Sequence, residues 1–157
     1  MLLVLAIVIQ TLDCNIIISK EFNLSKDKNI SCLIVDTNIQ NTRIIENSLE
    51  TLQGIVGGYI EIYDIGYIFP SLKGIVIVLN ECGKLTNLPL SCAFRTIVNS
   101  NEYAEYFSGP VIFCRTDDNG NLTSLLEQDT SLISSFMYGI YTNDNENFYA
   151  KKFSNIQ

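Results

Sequence analysis

Polar and apolar side chains alternate along one segment that is typical of a strand. Tyr59, Glu61 and Tyr63 occupy every second position, and Ile60 and Ile62 lie between them. Because successive side chains of a strand point to opposite faces, we expect the two phenols and the carboxylate on one face. Such a face can stack a planar ring and accept a hydrogen bond, so it is a candidate site for a small ligand or a peptide. The alternative is a sheet face that is half exposed or covered by a helix.

A second polar group is expected at a tight turn, where Gly83 would supply the unusual backbone angle. Asn80 can bond the backbone of its own turn, and Glu81 and Lys84 can form a surface ion pair worth less than about 1 kcal/mol. The functional interpretation is a recognition loop beside the sheet. The candidate ligand- or partner-binding residues are therefore Tyr59, Glu61, Tyr63, Asn80, Glu81 and Lys84.

The absence of histidine restricts the chemistry that one chain can perform. The 157 residues include none, which excludes a Ser-His-Asp triad, a Cys-His dyad and any imidazole ligand to a metal. An enzyme would need cysteine, carboxylate, lysine or tyrosine side chains tuned by burial, and no such set stands out. Asp117 and Asp118 resemble the start of a calcium loop but lack its further ligands, which favours a solvated hairpin turn. We expect no enzyme, no metal and no cofactor.

The charge balance points away from nucleic acid. Asp and Glu number 17 against 10 Lys and Arg, which gives a net charge of -7. An acidic surface repels phosphates, so nucleic-acid binding is not expected as the main task. The same charge steers the molecule toward a basic partner surface. Hydrophobic residues make up 47% of the chain, enough to fill the core of one domain.

The five cysteines do not form a recognisable metal or redox motif. Their number is odd, and no pair has the C-x-x-C spacing. Cys32 and Cys114 lie in apolar runs, which is typical of buried, reduced thiols. The alternative is a disulfide, for example between Cys82 and Cys92, which would need an oxidising compartment.

The N-terminal run MLLVLAIVIQ is apolar but too short to span a bilayer. It lacks the basic start of a signal peptide, since the first basic residue is Lys20. We therefore expect residues 2–9 to form a buried strand of a protein in the cytoplasm of a bacterial host. Secretion through a signal peptide is the alternative.

The predicted helices and strands that position these residues indicate an α+β fold, because they do not alternate regularly as in βαβ units. The sequence predicts one domain over residues 1–157, with a mixed or antiparallel sheet packed against two or three short helices. A helix from residue 49 is expected to be capped by Asn47 with Glu50 and to end at Gly57 and Gly58. Further helices are expected over residues 91–98 and 130–138. Strands are predicted at residues 32–35, 43–46, 59–65, 75–79 and 110–114, with a last edge strand at 148–153, while 122–126 reads as either strand or helix.

Three segments, in order, resemble a known family. They are LQGIVGGYIEI at residues 52–62, VLNECGKLTNLPLSCA at 78–93 and SGPVIFCRTDDNGNLTSL at 108–125. This set is similar to the domain-of-unknown-function family 3846, found in phages, plasmids and other mobile elements of bacteria. The resemblance covers about residues 30–128, and leaves an N-terminal strand at 1–22 and a C-terminal extension at 129–157. Members of the family often carry Pro, Asn and Arg where this chain has Leu90, Ser91 and Cys92.

The resemblance implies a mobile-element setting and no particular reaction. We therefore expect a non-catalytic accessory protein that binds a host protein, for example to antagonise a host defence. The alternative is a small-molecule or nucleotide-signal binder, which would need Lys84, Arg95 or Arg115 to converge. Terminal edge strands could also support a homodimer by sheet extension.

Overall fold

Two antiparallel sheets and two short α-helices form the part of the chain that the structure describes. The computed structural model describes residues 27–98, 101–142 and 148–152, so the predicted strand at 2–9 and Cys14 lie outside the described residues. The elements are β1 (Asn29–Asp36), β2 (Ile39–Glu46), α1 (Leu49–Val56), β3 (Ile60–Asp64), β4 (Ile75–Asn80), β5 (Leu90–Val98), β6 (Asn101–Ser108), β7 (Val111–Thr116), β8 (Leu122–Thr123), α2 (Asp129–Phe136), β9 (Met137–Thr142) and β10 (Phe148–Lys152). Short 3-10 turns at Ile65–Tyr67 and Pro70–Leu72 join β3 to β4.

The first sheet has the strand order β2-β1-β7-β4-β3, and β8 pairs with the end of β7. Its interior strand β4, between β7 and β3, is buried on both faces, as the continuous apolar run at residues 75–79 predicted. Ile75 and Ile77 belong to one hydrophobic core, whereas Val76 and Val78 belong to a second core on the opposite face. Because successive side chains of β4 point to opposite faces of the sheet, this one strand contributes to two separate hydrophobic cores.

Three layers follow from this double burial. Helix α1 covers one face of the first sheet with Leu52 and Val56. The second sheet, of order β10-β9-β5-β6, covers the other face. There Phe94 of β5 contacts the ring of Phe113 of β7, with 6.0 Å between the ring centroids. The α+β prediction is confirmed, although the described chain is mainly β and its strand pairs are antiparallel.

Helix α1 ends where the glycines predicted but begins with a different cap. Gly57 takes the left-handed conformation, with φ of 78°, and closes the helix. The predicted cap Asn47 is wrong, because the Ser48 side chain accepts the hydrogen bond from the Thr51 N–H. Asn47 instead donates its side-chain amide to the carbonyl of Leu122, 3.2 Å away. The cap shifts by one residue since Asn47 serves to attach the helix start to β8.

The helix predicted over residues 91–98 is wrong, because this segment forms β5. Cys92 and Phe94 point into the core between the sheets, and the backbone pairs with β6 and β9. The sequence predicted neither β6 nor β9. These two strands hold β5 in the extended conformation, so the helix prediction was made without the partners that decide it. Propensity is a weak guide when tertiary pairing decides the conformation.

The β1–β2 hairpin turn links the two sheets. Thr37 and Asn38 form the turn with positive φ values of 43° and 68°. The Asn38 amide donates to the carbonyl of Ile140 at 2.6 Å, and its oxygen accepts from the Ile140 N–H at 2.7 Å. The Asn38 side chain thus makes the two hydrogen bonds that the backbone of a neighbouring strand would make to Ile140 of β9.

None of the helices within the described residues is both long and apolar enough to cross a membrane.

Candidate functional site

The candidate residues gather where an edge strand of one sheet meets an edge strand of the other. The ring of Tyr63 in β3 packs edge-on against Phe107 of β6, with centroids 5.4 Å apart and planes at 78°. The turn between β4 and β5 lies beside the same strand, because an added Cβ at Gly83 would approach the carbonyl oxygen of Ser108 to 2.7 Å. We define the β3–β6 rim as Tyr59, Glu61, Glu81, Lys84 and Glu105.

The ion pair of the rim crosses between the two sheets. Lys84 Nζ lies 2.6 Å from Glu105 Oε1, with 60% of the lysine side chain and 29% of the glutamate side chain exposed. The predicted pair between Glu81 and Lys84 is therefore wrong. Glu105 belongs to β6, which the sequence did not predict, so its place at the rim could not be read from spacing.

Glu61 is a half-buried carboxylate among other carboxylates. Its burial, and then the negative charge of Glu81, raise the pKa of this carboxyl, and Glu105 adds to the effect. Lys84 acts in the opposite direction and lowers it. The net shift is upward, so the ionised form of Glu61 is destabilised in the free protein. A further positive group placed at the rim would relieve this repulsion.

The two tyrosines of the predicted face have different surroundings. Tyr63 is partly buried against the core between the sheets, and burial together with the charges of Glu105, Glu61 and Asp64 raises the pKa of its phenol. Its ring already contacts Phe107 and is therefore not free to stack a ligand. Tyr59 precedes β3 and is 72% exposed. Of the two rings, only that of Tyr59 is presented to a partner.

Asn80 holds the turn rather than facing solvent. Its side chain is buried, and its amide donates to the carbonyl oxygens of Val56 at 3.3 Å and Gly57 at 3.2 Å. Its oxygen accepts from the Cys82 N–H at 2.9 Å, as predicted for a residue that bonds its own turn. Asn80 thus joins the end of α1 to the start of the turn between β4 and β5, which we call the rim turn. Its hydrogen bonds fix the segment that carries Glu81 and Lys84.

Gly83 is required for space and not for its backbone angle. The positive-φ glycines of the described chain are Gly57, Gly74, Gly109 and Gly120, so the predicted unusual angle at Gly83 is wrong. The close approach of the Ser108 carbonyl leaves no room for a side chain at this position. A glycine here lets the turn lie directly against β6.

Leu85 is an apolar neighbour of the rim that the sequence analysis missed. It follows Lys84 in the same turn and is 82% exposed. A leucine next to a lysine in a turn carries no periodic signal, and only its exposure marks it. Together with Tyr59 it gives the acidic rim two exposed apolar groups.

The four described thiols are free, and three of them are buried. Cys82 and Cys92 are both unpaired, so the alternative of a disulfide between them is wrong. Cys82 lies in the rim turn, whereas Cys92 is wholly buried in the core. Burial raises the pKa of Cys32 to about 11 and also raises the pKa values of Cys92 and Cys114. Buried thiols of this kind are weak nucleophiles.

The acidic turn after β7 uses its carboxylate internally. Asp117 accepts hydrogen bonds from the backbone N–H groups of Asn119 and Asn121, each at 2.9 Å, and from the Asn121 side chain at 2.7 Å. This is the hairpin turn that the sequence favoured over a calcium loop. In the described ranges, no group of three or more Cys, Asp or Glu side chains is placed to hold a metal ion.

A family model for the domain of unknown function DUF3846 matches residues 30–137. The chain belongs to this family. The match confirms the resemblance inferred from the three sequence segments, and it runs from β1 through α2. Searches among curated proteins and among solved structures gave no significant match.

Two of the three segments that carried the resemblance meet at the rim of this DUF3846 domain. Residues 52–62 supply Tyr59 and Glu61, and residues 78–93 supply Glu81 and Lys84. The Glu81 N–H donates to the Tyr59 carbonyl at 3.0 Å and so ties the two segments together.

The departure from the family pattern lies elsewhere. Ser91 and Cys92 are both wholly buried. The Ser91 hydroxyl bonds the carbonyl of Gly109, and its own carbonyl accepts from the Asn38 N–H at 3.3 Å. In this chain both residues therefore make contacts in the interior of the fold.

Proposed function

We propose that this DUF3846 protein is a non-catalytic accessory factor of a phage or other mobile element that binds a basic surface of a host protein through the β3–β6 rim. Antagonism of a host defence is one role that fits this setting. The observation that carries the proposal is a group of three carboxylates at the junction of two sheets, in which Lys84 pairs with Glu105 while the charges of Glu81 and Glu105 act on Glu61.

The electrostatics of the rim support a cationic partner. The raised pKa of Glu61 shows that its charge is unfavourable in the free protein. An arginine or lysine of a partner would lower that energy on binding, because charge-assisted hydrogen bonds to carboxylates are the stronger ones. The overall charge of -7 adds long-range attraction that speeds encounter with a basic surface.

Two exposed apolar side chains can supply the contact area that charges do not. Tyr59 is 72% exposed and Leu85 is 82% exposed. Aromatic residues are enriched at the centres of protein interfaces because they bury a large area and still offer a polar group. A basic partner with an apolar patch therefore fits the rim better than a purely basic one.

The arrangement of cations disfavours the alternative of a nucleotide-signal binder. Lys84 pairs with Glu105, Arg115 pairs with Asp129, and Arg95 lies over the ring of Tyr138 at 5.8 Å. Arg95 pairs with Ala104 of β6 and therefore lies on the face of the second sheet opposite to Glu105, while the rim itself presents carboxylates that repel phosphates. We therefore propose a protein partner and not a phosphorylated ligand.

The experiment compares two variants that remove the same charge from different places. The rim variant carries Glu61→Gln, Glu81→Gln and Glu105→Gln. The control variant carries Asp36→Asn, Glu46→Gln and Glu127→Gln, which are exposed carboxylates outside the rim. Wild type and both variants are used to capture proteins from a lysate of the bacterial host, and the dissociation constant of each captured, purified protein is measured by calorimetry.

We expect one saturable partner whose affinity falls at least about tenfold, or about 1.4 kcal/mol, in the rim variant. The control variant should retain the affinity of the wild type within about threefold, since exposed charges far from a contact act mainly on the association rate. Equal losses in the two variants, or a lysate that yields no saturable partner, would contradict the proposal. Leu85→Ala then tests the apolar contact without changing any charge.

A further inference from the structure

Two buried thiols lie on adjacent strands of the first sheet and on the same face of it. Cys32 lies in β1 and Cys114 in the adjacent strand β7, and both are wholly buried and free. They belong to the same hydrophobic core, on the face of the sheet that α1 covers. Cys32 contributes to the raised pKa of the Cys114 thiol, which places the two groups within electrostatic reach of each other.

The two cysteines lie at the end of the ladder between β1 and β7. Leu33 and Phe113 are the last pair of this ladder, and Cys32 and Cys114 are the next residues along the two antiparallel strands. At Ser31 the neighbour of β1 is no longer β7 but the segment that follows β8, because the Ser31 N–H donates to Ser124 Oγ at 2.9 Å and its carbonyl accepts from the Leu125 N–H at 2.8 Å. Backbone groups alternate along a strand, so those of Cys32 point the other way, toward β2. Cys32 and Cys114 therefore occupy a position without hydrogen bonds between the two strands.

In a regular antiparallel ladder, neighbours at such a position are about 4.5 Å apart between Cα atoms, and Cys32 and Cys114 lie one residue beyond the last pair of the β1–β7 ladder. Disulfides span Cα separations of about 4.4 to 6.8 Å. We propose that Cys32 and Cys114 are a covalent modification site, at which a disulfide reagent such as oxidised glutathione joins β1 to β7 through one intramolecular disulfide. The site is distinct from the rim and does not depend on the proposed function.

The reaction is an exchange in two steps. One protein thiolate attacks a sulfur of oxidised glutathione, forms a mixed disulfide and releases the first reduced glutathione. The second protein thiol then attacks the protein-bound sulfur, forms the Cys32–Cys114 bond and releases the second reduced glutathione. The two protein thiols are oxidised by two electrons in total, and their protons end on the two glutathione thiols.

Burial determines when the exchange can occur. Helix α1 covers the pair, and the raised pKa values keep both thiols protonated at neutral pH. Exchange in the folded protein therefore needs transient opening of α1, whereas a chain that is still folding meets the reagent directly. We expect the bond to form readily during refolding and slowly in the folded protein.

The experiment uses the full chain, reduced in denaturant and refolded with either reduced glutathione alone or a mixture of oxidised and reduced glutathione. Trypsin separates the cysteines because each lies in a different fragment. Cys32 falls in residues 29–43 and Cys114 in residues 96–115, while Cys82 and Cys92 fall in 74–84 and 85–95. Mass spectrometry of the non-reduced digest then reads the connectivity without any substitution.

We expect a cross-linked fragment that joins residues 29–43 to 96–115, with the loss of two hydrogen atoms from the intact mass. Closing a loop of this length should raise the melting temperature by on the order of 10 °C. Cys82→Ser should keep both effects, and Cys32→Ala should remove them. Fragments linked through Cys82 or Cys92, glutathione mixed disulfides alone, or no oxidation would each overturn the proposal.

Discussion

One buried ion pair at the residue scale shows how the described chain stabilises a charge in its interior. Arg115, at the end of β7, binds Asp129 with two hydrogen bonds, and the Asp129 side chain is only 1% exposed. Asp129 also accepts from the Leu126 N–H at 2.7 Å, which fixes the approach to α2. Burial by itself raises the pKa of Asp129. The hydrogen bonds from Arg115 and Leu126 together lower it by a larger amount, so the net shift is downward. Glu61 shows the opposite shift, because burial and then the negative charge of Glu81 raise its pKa and no hydrogen-bonded cation among the described residues offsets them.

We expect Asp129→Asn to lower the free energy of unfolding by about 2–3 kcal/mol at neutral pH, because it leaves the Arg115 charge without its partner. The pKa of Asp129 is depressed in the folded state, so its stabilisation is present above the unfolded pKa and is lost as the pH falls through the folded value. The wild type should therefore lose stability below about pH 4 more steeply than the variant does. Urea unfolding between pH 2 and 7 measures both effects, with the pH values spanning the ordinary carboxyl range.

The exposed Asp118 supplies the matched control. Asp118→Asn removes the same charge from an exposed position in the turn after β7 and should change the free energy of unfolding by less than about 0.5 kcal/mol. Equal effects of the two substitutions would show that the buried pair has no special role.

Helix α1 carries two glycines that need different explanations at the scale of the element. Gly54 lies inside the helix without a positive φ, and an added Cβ there meets nothing within 4 Å. Gly57 has equally open space but takes φ of 78° at the helix end. An alanine side chain would meet no neighbouring atom at either position. The two substitutions therefore differ in the backbone conformation of the replaced glycine and not in steric contact.

We expect Gly54→Ala to raise the free energy of unfolding by about 0.5–1 kcal/mol, because alanine restricts the unfolded chain and favours the helix. Gly57→Ala should lower it by about 1–2 kcal/mol, because a Cβ is strained in the left-handed conformation. Chemical denaturation of both variants checks the opposite signs. A destabilising Gly54→Ala would mean that helix propensity is overridden at this site, and a neutral Gly57→Ala would mean that the helix end adjusts.

Local signals predicted the elements that depend on local contacts. The continuous apolar run at residues 75–79 identified β4, and the double glycine identified the end of α1. The sequence predicts a short helix over residues 91–98 after Leu88 and Pro89, and only the pairing with β6 and β9 makes this segment a strand. The same limit applies to the candidate site. Asn80 was recognised from its turn, but Glu105 comes to the rim through the packing of two sheets, which no sequence spacing encodes.

Opposing forces decide at the scale of the whole molecule whether two copies associate. Strand β2 is an outer strand of the first sheet, and Ile39 and Ile44 on it are 68% and 78% exposed. It pairs with β1 over eight residues without a bulge, and it contains no proline. Bulges and prolines are features that protect edge strands from pairing with another chain, and β2 has neither. Such an edge favours sheet extension by a second copy. The net charge of -7 on each copy opposes it.

We expect salt to favour dimers, because the Debye length shortens from about 10 Å at 0.1 M to about 3 Å at 1 M and screens the repulsion between copies. Sedimentation velocity at both salt concentrations measures the dimer fraction. Ile44→Lys should abolish the dimer at high salt, since it removes an exposed apolar contact and adds a desolvation penalty at the edge. Leu126→Lys, at a residue that is 50% exposed and lies before α2, makes the same change in charge and should leave the dimer intact. A monomer at both salt concentrations, or equal loss in both variants, would show that β2 does not extend the sheet.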